Sequence, residues 1–530
     1  MTIQMIPGRT RSVVYAASAA VATSHPLASL TAIETLRRGG NAVDAALAAI
    51  AMQCVVEPHQ TGIGGDCFAL YMPRGRATPI GLNGSGRAPA AAEQAWFARH
   101  GIYEIALDSP HGVTVPGAVA GWVRLSADHG SLPLATVLEP AIRVAYDGYV
   151  VQPCVARDWA ADAPLLASDP AGAATFLTGG KPPPEGAVHR QPRLGATLER
   201  IAAQGHDGFY AGPVAADIVR CLQQRGGLHQ LKDFENVEAD YVTPISSRYR
   251  GHDIFQMPPN GQGLAALMML NVLEGYDLSD PAFSTADRIH LLAELGKQVY
   301  CHRDHLFADP DFAATPVAAL LSPEWAAFAR SRVDMKVAAA PTVWPEVTQR
   351  DTVYVCVVDA QGNAISFINS LFHSFGSRIM APASGVLLHN RGVQFSLEAG
   401  HPNAIAGGKR PLHTLAPGLI ARDGRCIAPF GVMGGPYQAA GHAELLSNIL
   451  DRGMDVQQAL DAPRSFAYRG VLTVEPQSDD ALLADLRARG HDARWSERGI
   501  GGGQIIWRRE AGAVLAAGSD YRQDGCALGF

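Results

Sequence analysis

The 530-residue sequence predicts an α+β fold, on a contrast along its length. Stretches rich in Ala and Leu read as helices from about Gly117 to Gly226, with polar, Pro-containing breaks such as "LTGGKPPPEGAV". From Thr352 onward the texture turns to strands, beginning with "TVYVCVVDAQGNAISFI", which alternates around an "AQGN" turn as a hairpin does. Hydrophobic residues make up 47% of the chain, enough for one large core or two to three domains, so a well-buried globular enzyme is the expected class. The shift in composition near residue 350 is the best candidate boundary, although "PTVWPEVTQRD" is short and partly apolar rather than linker-like.

In chain order, "GRTRSVVYAASAAVA" places two arginines ahead of a short apolar stretch, as a signal peptide would. That run is weak and Ala-rich, and "VVYAASAAVATSHPLAS" reads better as a first core strand entering a helix capped by Ser or Thr. "LASLTAIETLRRGGNAVDAALAAIAMQCVVEP" gives two helices broken at Gly39-Gly40, the second starting near Asn41 with small residues on its inner face. "TGIGGDCFALYM" then runs a glycine-rich turn into a strand. No stretch approaches the roughly 18 continuous apolar residues of a membrane span, and a soluble, cytoplasmic protein is expected. A net charge of −7 with scattered Lys and Arg leaves no basic footprint for nucleic acid, which favours a small-molecule partner. The eight cysteines (Cys54, Cys67, Cys154, Cys221, Cys301, Cys356, Cys426 and Cys526) form no CxxC pair and are expected as reduced thiols, mostly in the core. Neither "GIGGD" nor "RGIGGGQ" has the spacing that cradles phosphates, and no cofactor is implied.

Thr352 opens the apolar run "VYVCVVD" directly after Asp351. A Thr at the head of a buried strand is ordinarily just a β-former. If the Asp351–Thr352 bond is cut, however, Thr352 gains an α-amino group with a reference pKa of about 7.7–8.0, and nucleophile and base become one residue. Strand pairing would hold that chain end to the tolerance that attack on a carbonyl demands.

The company of Thr352 supports this reading. "DTVYVCVVDAQGNAISF", "FGSRIMAPASGVLLHN", "GGKRPLHTLAPGLI", "GVMGGPYQ" and "GSDYRQDGCALGF" follow in that order. "RRGGNAVDAALA", "GIGGDCFALY", "GVTVPGAVAGW", "DFENVEADYVTPISSRYRGHDIFQMPPNGQG" and "FADPDF" precede them. Together they resemble the γ-glutamyltranspeptidases, members of the N-terminal-nucleophile hydrolases, over nearly the whole chain. The resemblance implies a four-layer αββα sandwich built from a large chain, 1–351, and a small chain, 352–530, produced by self-cleavage before Thr352. It implies that the two chains stay associated, with a dimer of such heterodimers as one arrangement. It also implies that Gly434-Gly435 supply oxyanion donors, where glycine lets the backbone approach closely. Ser370 matches a second Thr of the family whose hydroxyl orients the nucleophile, and neighbouring Asn369 should face the other side of the strand.

Departures from the family pattern bear on the substrate. Where the family reads "NNQMDDFS", with an acid for the donor's α-ammonium, this chain reads "HNRGVQFS", with Arg391 and Gln394 in place of the Gln and the second Asp. A family Asn becomes Phe372, which suggests a smaller or differently shaped substrate, and a Ser-Ser pair becomes His413-Thr414. The family's carboxylate-binding Arg falls at Ser85, with Arg87 two places later on the same face of an extended strand, where a bidentate guanidinium could still serve. His373 and His413 could donate to a carboxylate or line a loop, and no metal is assigned to them. The expected activity is hydrolysis of a small carboxylate-bearing amide, oxamate-like by preference. γ-Glutamyl transfer or glutathione hydrolysis, glutaryl (cephalosporin) acylase activity and an uncleaved binding protein of the same fold are the alternatives.

Overall fold

The computed structural model describes residues 11–340, 350–476, 480–509 and 514–530, and two antiparallel sheets of seven strands organise it. One runs, in spatial order, Val14–Ala16, Leu515–Ser519, Gly502–Arg508, Arg425–Met433, Gly418–Arg422, His252–Gln256 and Ile245–Tyr249. The other runs Ala527–Gly529, Ala20–Thr23, Arg350–Val358, Ala364–His373, Asp66–Met72, Ile80–Gly84 and Asp240–Val242.

Because side chains alternate along a strand, each strand divides its residues between two environments. Tyr354, Cys356 and Ile368 meet Phe255, Leu419, Met433 and Ile506 in a core between the sheets. Val353, Val355, Ile365 and Phe367 instead face the helices Pro26–Arg37, Ala42–Val56 and Ala118–His129. On the far side, Ile420, Phe430 and Ile505 pack under Gly263–Leu273, Thr285–Leu306 and Tyr437–Leu450. The result is an αββα sandwich of four layers. At Gly431 the sheets touch so closely that an added Cβ would lie 2.4 Å from the ring of Tyr354.

The helix Ala42–Val56 is buried all round, as expected for an apolar helix enclosed in a layer rather than lying on a surface. Asn41 and Asp44 form its capping box. Asp359, from the "VVDAQGN" turn, also accepts the Ala42 N–H at 2.9 Å, which places a carboxylate at the positive end of the helix. The hairpin carrying Thr352 is thereby fastened to the helical layer.

Several expectations are corrected. The first apolar run is two strands, one in each sheet, because Ser18 and Ala19 both donate to the Phe530 carbonyl and the chain crosses between sheets there. The cap of Pro26–Arg37 is His25, whose Nδ1 accepts from Leu27, while Ser24 is turned to Glu57. The Thr352 strand starts at Arg350, so it already runs through the Asp351–Thr352 bond. The composition shift near residue 350 divides no domains, since segments before and after it contribute strands to both sheets. Of the eight cysteines, all free, four are fully buried and four half-buried. Among the described residues, no helix is long and apolar enough to cross a membrane.

Candidate active site

Thr352 lies where its strand loses register with Ala364–His373. Asp351 opposes Phe372 and Val353 opposes Asn369, so Thr352 confronts two residues, Ser370 and Leu371. Such a bulge interrupts regular pairing and re-aims the side chains beside it. The Thr352 side chain is buried (2% exposed), with Oγ1 3.1 Å from Ser370 Oγ. Ser370 Oγ also accepts the N–H of Phe372 at 2.8 Å. That bond supports Phe372 at φ +83°, a conformation costing a non-glycine residue roughly 1–3 kcal/mol. Asn369 faces away as expected, donating to Thr61 Oγ1 and accepting from Trp122 Nε1. The Asp351 side chain lies outside the described residues.

If Thr352 Oγ1 is the nucleophile, Ser370→Ala is expected to slow its acyl transfer about tenfold while the chain remains folded, because one hydrogen bond is worth about 0.5–1.5 kcal/mol. Steady-state rates and a thermal melt check this. Unchanged rates of both cleavage and turnover would remove Ser370 from the site.

From Phe372 the contacts lead to Arg391. Its guanidinium carbon sits 3.9 Å from the centre of the Phe372 ring, the side chain is 1% exposed, and Nη1 donates to Thr414 Oγ1 at 2.8 Å. Gln262 then joins this cluster to the glycine turn, since its Nε2 donates to Thr414 O at 2.7 Å and Gly435 O at 2.8 Å. Gly434 and Gly435 have φ of +115° and +59° and lie between Arg425–Met433 and the N-terminus of Tyr437–Leu450. Positive φ explains glycine at both positions, and a helix N-terminus favours negative charge nearby.

Beneath Arg391 lies a fully buried carboxylate, Asp66, which opposes Ser370 across the strand pair. Oδ1 accepts from Gly86 N at 2.9 Å and Gly117 N at 3.1 Å. Oδ2 lies 3.1 Å from His413 Nε2 and 3.5 Å from His389 Nδ1. Burial alone would push Asp66 up, but His389, His413 and Arg391 hold it well below the usual carboxylate range. Burial, then the charge of Arg391, takes His413 down to about 3, so it is neutral at pH 7.

The structure thus joins Thr352, Ser370, Phe372, Arg391, His413, Thr414 and Gly435 through a continuous set of contacts, with Gly434 in the adjoining turn. Arg87 keeps different company from that expected. It is 38% exposed and pairs with Asp311 (3.0 Å), Asp309 (3.6 Å) and Asp240 (3.7 Å). Ser85, at the family's Arg position, is buried against Asn260 and Arg410. Gln394 is half-buried at the end of the turn Arg391–Gln394, its carbonyl accepting from Asn403. His373 Nδ1 is turned to Asn390 Oδ1 at 3.1 Å.

Asp66 and Gln262 were not singled out in the sequence, although both stand in glycine-rich segments, "GIGGD" and "NGQG", where a polar residue beside close-packed backbone is the available signal. Among the described residues, the side chains near enough to share one ion are elsewhere: His290, Glu294 and His491, within 4.8 Å of one another. They are already knit by protein donors. Lys297 holds Glu294 at 2.6 Å, and the two imidazoles meet at 2.7 Å.

Residues 28–530 match the sequence profile described as Gamma-glutamyltranspeptidase. The chain belongs to that family. Within the family it is 35% identical over 520 residues to the glutathione hydrolase-like YwrD proenzyme of Bacillus subtilis, covering 96% of this chain and 98% of that one. It is 34% identical over 524 residues to the oxamate amidohydrolase proenzyme of Klebsiella pneumoniae, covering 96% and 97%. The crystal structure of cephalosporin acylase from Bacillus halodurans superposes with a TM-score of 0.92 at 37% identity, over 100% of this chain and 99% of that one. The sandwich is therefore that of the γ-glutamyltranspeptidase family and its acylase relatives.

Proposed function

We propose that this family member is a precursor that cleaves itself between Asp351 and Thr352, and that the freed Thr352 hydrolyses a small carboxylate-bearing amide. The observation that carries the reading is the Thr352 hydroxyl held on Ser370 at a bulge that includes the scissile bond. Thr352 Oγ1 attacks the Asp351 carbonyl carbon, the C–N bond breaks and the acyl group passes from nitrogen to oxygen. That shift frees the Thr352 α-amine, and water then hydrolyses the ester to the Asp351 carboxylate and the Thr352 hydroxyl. In turnover the amine takes the hydroxyl proton as Oγ1 attacks the substrate amide, and returns a proton to the leaving nitrogen. Water deacylates Thr352. The backbone N–H groups at Gly434 and Gly435 stabilise the alkoxide. Chains 1–351 and 352–530 remain together because each sheet takes strands from both.

Arg391 is the group proposed to receive the substrate carboxylate, with Phe372 limiting the length of the acyl part and Thr414 holding the guanidinium. Arg87, its charge taken up by Asp311, Asp309 and Asp240, is not needed for this reading. An α-ammonium brought next to Arg391 would be repelled, and burying it without an anionic partner costs several kcal/mol. The names of the relatives, an oxamate amidohydrolase and acylases among them, support an amide hydrolase. The glutathione hydrolase-like relative keeps γ-glutamyl amides as the comparison to make.

Monoamides of short dicarboxylic acids, oxamate included, are expected to exceed glutathione and γ-glutamyl anilides by at least about tenfold in kcat/KM. Initial-rate measurements across that set test the reading. A preference for glutathione would contradict the assignment of the pocket while leaving the nucleophile untouched.

A further inference from the structure

We propose that Asp66 is a positioning residue of the substrate pocket, fixing the tautomer of His413 and, through the His413-Thr414 loop, the placement of the Arg391 guanidinium. The inference rests on the reading of Arg391 as the carboxylate-binding group.

The tautomer follows from geometry. Leu415 donates its backbone N–H to His413 Nδ1 at 3.3 Å, so that nitrogen carries the lone pair. In the neutral ring the proton is then on Nε2, which points at Asp66 Oδ2 at 3.1 Å. The backbone of His413 is tied on both sides, its N–H donating to Asn260 O at 2.8 Å and its carbonyl accepting from Gln262 N at 2.9 Å. The Phe68 ring packs on the imidazole with centroids 4.7 Å apart. Thr414, the next residue, accepts from Arg391. A displacement of the His413 ring is thus carried to the adjoining Thr414, whose Oγ1 holds the guanidinium.

Asp66 accepts from Gly86 and Gly117 on one oxygen and from His413 on the other, with His389 Nδ1 3.5 Å away, so it is an internal acceptor rather than a group presented to substrate. The charged form is what the arrangement requires. In an Asp66→Asn chain, an oxygen kept toward Gly86 and Gly117 would aim the amide NH2 at His413 Nε2–H, donor against donor. A flipped amide would aim the NH2 at the two glycine N–H groups instead. Moving the His413 proton to Nδ1 relieves the first conflict by creating another with the Leu415 N–H. Each alternative leaves buried donors facing each other, which shifts the loop.

The test compares a dicarboxylic acid monoamide with its methyl ester on the mature enzyme. Asp66→Asn is expected to raise KM for the acid at least about tenfold more than for the ester, which makes no ion pair with Arg391. Thr414→Val should reproduce the split, and the double variant should be no worse than the more affected single one, because both act through the same loop. Equal losses for acid and ester with a lowered Tm would mean a merely structural role and overturn the proposal, as would an unchanged KM. Nitrogen-15 spectra of the wild-type histidine rings, with His413 assigned by its loss in His413→Gln, read the tautomer directly. A proton on Nδ1 overturns the proposal, including in the case that Asp66→Asn does not fold. A wild type that hydrolyses neither acid nor ester would count against the proposed function alone. Asp66 would then be judged by the ring tautomer and by calorimetric binding of glutarate, expected to weaken at least about tenfold in Thr414→Val.

Discussion

Thr352→Ala should leave a single 530-residue chain that hydrolyses amides at least about a thousandfold more slowly than wild type. The substitution removes Oγ1, which the structure holds 3.1 Å from Ser370 Oγ, and with it the group proposed both to attack the Asp351 carbonyl and to serve as the later nucleophile. Its effect on the fold should be small by comparison. Losing a hydroxyl and a methyl group from one buried position costs on the order of 1–3 kcal/mol, against strands anchored in a seven-stranded sheet. Thr352→Ser retains the attacking oxygen and should still cleave and turn over, more slowly. A denaturing gel and an amide hydrolysis assay separate the three chains. An Ala variant that cleaves or hydrolyses like wild type would place the chemistry elsewhere.

Arg391→Gln is expected to lower kcat/KM for carboxylate-bearing amides at least about thirtyfold, or roughly 2 kcal/mol, the scale of a charge-assisted hydrogen bond. Most of the loss should fall in KM, because the carboxylate is bound in both ground and transition states. The guanidinium also packs on Phe372, whose strained backbone neighbours Ser370, so a smaller fall in kcat is expected as well. Arg391→Lys should not rescue binding, since an ammonium cannot keep both the planar stacking and the fork. Kinetics on the acid and its methyl ester decide the matter. Equal losses on both would make Arg391 a packing residue.

Much of the fold was legible because local signals and layer packing agree. The Gly39-Gly40 break, the Asn41 cap and the "AQGN" turn all appear where the sequence puts them. The first strand was misread because nothing local marks the crossing at Ser18-Ala19, which depends on Phe530, at the other end of the chain. The grouping of the candidate residues was legible in part. Gly434-Gly435 stand at a junction of elements, where positive φ leaves a trace in residue type, and Thr352 is marked by the apolar run that follows it. Asp66, in contrast, derives its meaning from His413 and His389, more than three hundred positions away. Arg87 shows the converse. Its spacing from Ser85 places it on a suitable face of an extended strand, but the Ile80–Gly84 strand ends before it and three aspartates take up its charge.

Intact-mass analysis of freshly folded wild type, followed by sequencing of any new N-terminus, tests the central claim most directly. Two species corresponding to residues 1–351 and 352–530 are expected, the smaller beginning Thr-Val-Tyr-Val. A single full-length species that still hydrolyses amides would contradict it.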